Sequence, residues 1–410
     1  MMVTKPKNIK FKKTKPNNIN LIIHGQGVYI FEVNDTVNTC IFNLYNQDKT
    51  DGLKIEFTTE SVNVNYIVGN EPLIDINNTF GLLNKNGIYY WFSLDSQNQT
   101  LLAGIGESRF ENIIYSYSCD HLEKKFFESL TTIEINTTSP LQLLRDPVTL
   151  NVPLTIMNTN DLSMNDIAEG LYLPHTYLSS TSRKLYDCIS GNNFNLNDTN
   201  FPNFSDAIEY SIKTPGCWCY EKLKSKSTEF NPDKPNILET YLRITLTQNS
   251  GESPGIPYVM EIWPIGHFSP VHNHGGSSAI IRVLHGNINV KLFPFLCNDA
   301  EGINPMNVVD FVKDDITWIS PTLNQVHQLR NLSINTETCI TIQCYMYETD
   351  DIVHYDYFDY IDANGNKQQY EPDSDMDFIE FKNLMKTEWD NRPKKSFSEY
   401  IYSLIFGTSR

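Results

Sequence analysis

From residue 17 to about 145 the chain is cut into short apolar runs by Asn, Asp and Gly, and this punctuation most constrains its fold. LIIHGQGVYIFEV (21–33), LKIEFT (53–58), VNVNYIVG (62–69), GIYYWFSLD (87–95) and TLLAGIG (100–106) are each too short for a helix-period stretch. Such runs predict antiparallel strands closed into a sandwich or jelly roll. A Pro- and Asn-rich crossing follows at 139–160. Residues 161–190 are expected to open with a capped helix, and 204–226 to be helical at their edges. A second β-rich series is predicted from Leu238 to about 372. DSDMDFIEFKNLMKTEWDNR (373–392) has apolar residues near helical spacing and predicts a surface helix.

Charge narrows the function classes. The net charge of -17 disfavours binding to a phosphate backbone, so a nucleic-acid role is not expected. The first fifteen residues are the local exception, with six lysines and no acid. They read as a solvated, disordered basic tail (1–16), with a docking arm as the sharper alternative. They lack the apolar run of a signal peptide. No stretch is long and apolar enough to span a membrane, and the C-terminal SEYIYSLIF reads as a short docking helix. The eight cysteines show no ladder spacing, which predicts reduced thiols and a cytoplasmic location.

GHFSPVHNHGG (266–276) carries the chemistry. Residues i and i+2 of a strand share a face, so His272 and His274 are expected to aim two imidazoles at one point. A chance His-x-His arises about 0.2 times in a chain with this histidine content, so the pair alone is weak. Its context is stronger. Gly266 stands six before His272 and Gly286 twelve after His274. A third histidine, His327, lies in ISPTLNQVHQLRN (319–331), with Asn331 four residues later.

These stretches resemble the two motifs of the cupin superfamily. Within it, YLRITL (241–246), EIWPIGHFSPVHNHGGSSAIIRVLHGNINVKLF (261–293), WISPTLNQVHQLRN (318–331) and TETCITIQCYMY (336–347) resemble the cysteine (thiol) dioxygenases. The likeness spans roughly 110 residues. It implies a cupin β-barrel with flanking helices (155–395); with the N-terminal β-sandwich or jelly roll read from the strand pattern (17–145) and a short C-terminal tail (396–410), the expected fold is mainly β. It implies an Fe(II) centre on His272, His274 and His327. It places the arginine that grips a substrate carboxylate at Arg243, in a Tyr-x-Arg whose Tyr241 is expected to line the substrate site with it, and the tyrosine near the iron at Tyr345, with Tyr347 as the alternative register. A guanidinium fork suits a carboxylate, so the residue type agrees. GIYYWFSLDSQNQTLLAGIGE (87–107) is similar to the aromatic hairpin of the farnesoic-acid-methyltransferase-like β-domain, which implies a binding or interaction module.

Two positions depart from the dioxygenase pattern. Ala279 stands where animal members carry a cross-linked cysteine and other cupins a carboxylate ligand. The Ser-His-Tyr relay becomes Thr341, Gln343 and Tyr345; Gln cannot move a proton as His does. Three neutral imidazoles leave open positions on a divalent ion for an anionic substrate and dioxygen, although Zn²⁺ also accepts three histidines. The expected function is addition of both atoms of O₂ to the sulfur of L-cysteine or a similar thiol carboxylate. The alternative is a non-catalytic assembly module, with a protein or glycan partner for the sandwich. Bland roles stand beside the specific ones: Arg243 as an ordinary strand ion pair, Tyr345 and Trp263 as core, and His267 and His285 as loop residues.

Overall fold

The computed structural model describes residues 7–9, 17–33, 39–67, 72–74, 88–118, 124–136, 141–148, 152–246, 257–297, 303–348 and 357–393. SEYIYSLIF and most of the lysine-rich segment lie outside them. Within that segment Lys7–Ile9 pairs antiparallel with Leu141–Leu144, so these residues belong to a sheet rather than to a tail. The physical reason is an open sheet edge, whose unpaired backbone groups accept another strand whatever its side chains.

Two six-stranded antiparallel sheets form the sandwich. In Gly52–Thr58, Leu53, Ile55 and Phe57 point inward and the residues between them are half-buried, as period-2 alternation requires. The two inner faces meet in an aromatic cluster. Phe31 lies 4.7 Å from Phe42 and 5.0 Å from Phe57, ring centre to ring centre. Phe42 lies 5.0 Å from Phe92. Each fully buried Phe stabilises by roughly 2–3 kcal/mol through burial alone. The aromatic hairpin forms as Ile88–Asp95 and Thr100–Ile105. Trp91 presses against Gly104 so closely that a Cβ there would sit 2.0 Å from its ring.

The second unit is an eight-stranded mixed sheet facing a three-stranded one. Its central strand, Ser278–His285, is buried on both faces. Ile280 and Leu284 meet the helices Ser180–Ile189, Phe204–Lys213, Trp218–Ser225 and Phe378–Asp390, while Val283 faces the opposing sheet. The predicted cap appears at Ser163, whose hydroxyl and Asp166 form a reciprocal capping box. Phe378–Asp390 is the predicted surface helix, with Phe381 and Met385 turned inward. Among the described residues no helix is long and apolar enough to cross a membrane. Cys188, Cys217, Cys219, Cys339 and Cys344 are free thiols.

The sandwich and the barrel share apolar packing. Val271, Phe293, Phe295, Cys297 and Val326 belong to the same buried cluster as the sandwich core. A polar contact lies beside it. Glu107 accepts a hydrogen bond from the Gln325 backbone N–H (3.0 Å), and Arg109 donates to Asn324 Oδ1 (3.1 Å). Burial pushes the Glu107 carboxyl up from 4.5 to about 7, against the pull of Arg109 and of the amides of Asn324 and Gln325 and with a small push from Glu111.

A raised folded-state pKa means the folded chain holds the proton more tightly than the unfolded one. That stability is present below about pH 4.5 and is lost as pH rises through 7. We predict that Glu107→Gln removes the loss. The difference in unfolding free energy between variant and wild type should grow in the variant's favour by about 3 kcal/mol from pH 4.5 to pH 8. Urea unfolding across that range measures it, and a pH-independent difference contradicts it.

Candidate metal centre

Alternation in the barrel strands selects which side chains reach the interior. In Cys339–Met346, Ile340, Ile342 and Cys344 face the helices. Thr341, Gln343 and Tyr345 therefore turn the other way. Leu242 and Ile244 flank Arg243, and Met260 and Ile262 flank Glu261, in the same manner. Arg243 stands directly opposite Glu261, and Glu261 opposite Thr341. The result is a polar stripe across three neighbouring strands, set in an otherwise apolar wall.

The histidine pair reaches the interior by a different route from the one predicted. His272 and His274 do not sit in a regular strand. His272 makes isolated bridges to His327 and Tyr360, and His274 precedes a turn at Gly275–Gly276. The Pro270 ring, which removes a donor, and two glycines with positive φ interrupt a ladder there. The imidazoles still converge: one ring nitrogen of each of His272, His274 and His327 lies within 4.8 Å of the others.

Three observations suit a metal ion. First, His274 Nε2 and His327 Nε2 are 3.0 Å apart. Two nitrogens at right angles on one ion, each about 2.1 Å away, would be separated by about 3.0 Å. Second, His272 Nδ1 lies 3.0 Å from the Pro270 carbonyl. Donation there leaves Nε2 as a bare acceptor, the tautomer a ligand needs. Third, burial lowers the pKa of all three, His272 to about 4 and the other two well below the ordinary value. They are neutral at pH 7 and ready to bind. Among the described residues no carboxylate joins the group, and Ala279, fully buried, cannot supply one.

These residues line a cavity of about 40 Å³ with Tyr241, Arg243, Glu261, Trp263, Gln343 and Tyr345. That is room for on the order of three waters. Val283, Ile288, Val290, Leu292 and Phe311 make the rest of the wall dry. The register favours Tyr345 over Tyr347: Tyr345 lines the cavity, stands opposite Ala279 across the strand pair, and stacks on His274 at 5.9 Å. Its hydroxyl donates to Gln343 Oε1. Gln343 Nε2 donates to Glu261 and lies 3.3 Å from Thr341 Oγ1. The three relay positions are thus connected in space. Burial holds the Tyr345 hydroxyl far above its usual range, so it remains a proton donor.

Glu261 is the residue that reading the sequence passed over. It binds Arg243 Nη1 at 2.7 Å, and both side chains are buried. Burial lifts its pKa against the opposing charge of Arg243. Arg243 is therefore an internal ion pair and a cavity residue at once, and its Nε has no hydrogen-bond partner. An acid within YVMEIW, on the same strand face as Trp263, was the available signal. Tyr241 stacks on Trp263 at 4.2 Å, and both wall the cavity, so Trp263 serves core and site together. His267 is structural, held by Thr240. His285 is a half-exposed partner of Glu337. Asn331 is fully buried and ties Trp263 O to Glu337 O.

No protein-family model matches the chain, and no curated protein matches it by sequence. The solved structures it is similar to include the cupin domain of Schizosaccharomyces pombe Cnp3 (16% identity, 27% of this chain and 66% of that one, TM-score 0.21). They also include an unliganded L-ribose isomerase of Cellulomonas parahominis (12%, 34% and 75%, TM-score 0.25). A cupin 2 domain-containing protein of Halorhodospira halophila is similar at 14% identity over 38% and 86%, with TM-score 0.21. Likeness at this level carries no weight for activity.

We predict that the wild-type chain takes up one divalent ion, with His272→Ala raising the Kd for zinc on the order of 100-fold while the chain stays folded. Competition against a chromophoric chelator measures it. Equal affinity in the variant removes His272 from the site.

Proposed function

We propose that the barrel is a mononuclear Fe(II) thiol dioxygenase that converts a small thiol and O₂ to a sulfinic acid, with L-cysteine as the first substrate to try. One observation carries the reading: three buried, neutral histidines share a cavity with Arg243 and Tyr345. Iron held by His272, His274 and His327 would supply the open coordination positions that bring thiolate and dioxygen together. The rest of the work belongs to the chain. Arg243 Nε, buried and without a partner, donates to an oxygen of the substrate. Glu261 holds the other side of the guanidinium and fixes its plane. Tyr345, kept protonated, donates a hydrogen bond and passes its orientation through Gln343 and Thr341. Apolar walls exclude water and strengthen each of these contacts.

The Arg243–Glu261 pair also favours a second reading within the same chemistry. Glu261 already neutralises Arg243, so a substrate carboxylate has to compete with it. A thiol without a carboxylate avoids that competition. We predict that Arg243→Ala raises KM for L-cysteine at least tenfold and that Glu261→Gln lowers it by freeing the guanidinium. Oxygen uptake and sulfinate formation by anaerobically iron-loaded protein are the measurements, with His272→Ala as control. An unchanged KM in Arg243→Ala rejects its role as carboxylate clamp. No uptake with any small thiol despite stoichiometric iron rejects the dioxygenase.

A further inference from the structure

We infer that the N-terminal sandwich forms the back of the metal site, and that Glu107 and Arg109 are positioning residues for His327 and His274. The inference rests on the histidines being a metal centre. Four sets of contacts carry it.

Strand alternation comes first. Val326 and Val271 each precede a candidate ligand by one residue, and both bury in the sandwich core. Their neighbours His327 and His272 turn into the cavity. The sandwich therefore packs against the outer side of the two segments that present these imidazoles.

Gln325 is the second. Its side chain donates to Ser277 O (2.9 Å) and accepts from the Gly276 N–H (3.1 Å). It thus ties the turn that follows His274 to the strand that carries His327. Its own backbone N–H is satisfied by Glu107 of the sandwich. One residue joins two ligand segments and is anchored from outside the barrel.

Asn324 is the third. It has a left-handed backbone (φ 63°), which a non-glycine residue adopts only with support. Its side chain donates to Trp318 O (3.0 Å) and accepts from Arg109 (3.1 Å). Asn324 also lines the cavity. The fourth is rigidity at the source. Glu107 O accepts from Trp91 Nε1 (3.1 Å), Asn112 Nδ2 (2.9 Å) and the Arg109 N–H (2.9 Å). Gly106 (φ 76°) lies so close to Pro294 that a Cβ would sit 2.2 Å from its carbonyl oxygen. Arg109 is 1% exposed. A loop so firmly held can transmit position.

The test uses the full chain and two metals. Coupling between sites is reciprocal, so zinc bound at the histidines must stabilise the sandwich loop. In the wild type, saturating zinc should slow hydrogen exchange at the amides of Arg109, Asn112 and Gln325. Glu107→Ala should raise the Kd for Co(II) about tenfold or more and shift its visible d–d band. Glu107→Gln keeps an oxygen toward Gln325 and should restore both. Unchanged exchange in the wild type overturns the inference, as does a folded Glu107→Ala with wild-type Kd and band. If Glu107→Ala fails to fold, Asn324→Gly, which keeps the left-handed backbone, is read in the same way, and the wild-type exchange result stands alone. A wild type that binds neither metal removes the metal centre, and this inference with it; a wild type that binds metal without coupling removes only the inference.

Discussion

The site depends on one constraint: the main barrel strands are buried on both faces. Helices cover one face and the cavity takes the other. Each residue step along Cys339–Met346 then alternates between hydrocarbon packing and the cavity. A one-residue slip would drive Gln343 and Tyr345 among the helices and put Ile342 and Cys344 in the cavity. The apolar set facing the helices thus fixes the register of the polar set, although it never touches the chemistry. This is how three strands deliver Arg243, Glu261 and Thr341 to one row.

Burying that row is costly, and the row is built to limit the cost. A lone guanidinium in an apolar cavity would lose its hydration without return. Glu261 opposite Arg243 supplies the counter-charge, and Gln343 supplies a donor to Glu261. Removing either charge would strand the other, which is a larger penalty than the pair is worth. The pair thereby brings the cavity close to neutrality before any ligand enters. A metal ion on the three histidines, which burial keeps uncharged, would then bring the charge that governs ligand choice.

Legibility in the sequence tracked distance along the chain. The short runs between turn residues foretold the sandwich because strand length and turn chemistry are local properties. The histidines were legible because two of them stand two residues apart and the third lies in its own short motif, patterns that are local in the chain. His272 and His274 nevertheless converge without a regular strand, since Pro270 and the two glycines break the ladder while bridges to His327 and Tyr360 retain the geometry. Glu261 was passed over because its partner is a cross-strand neighbour 18 positions away, and single-strand alternation reveals a face but not a partner. The contacts of Glu107 and Arg109 span more than two hundred positions and follow no periodicity. Nothing short of the folded chain places them together.

That last group alters what the two-unit arrangement means. A sandwich read from sequence alone is a module that could be cut away. In the folded chain its core contains barrel residues, and its loop satisfies a backbone N–H two residues from His327. A buried amide left without that acceptor carries a desolvation penalty of about 1–3 kcal/mol. Loss of Val271 and Val326 packing would add to it. Both costs fall on the segments that carry His272 and His327 and on the turn after His274. The sandwich is therefore part of the barrel's wall, and the economy of the fold lies in using one interface both to bury apolar surface and to fix the site.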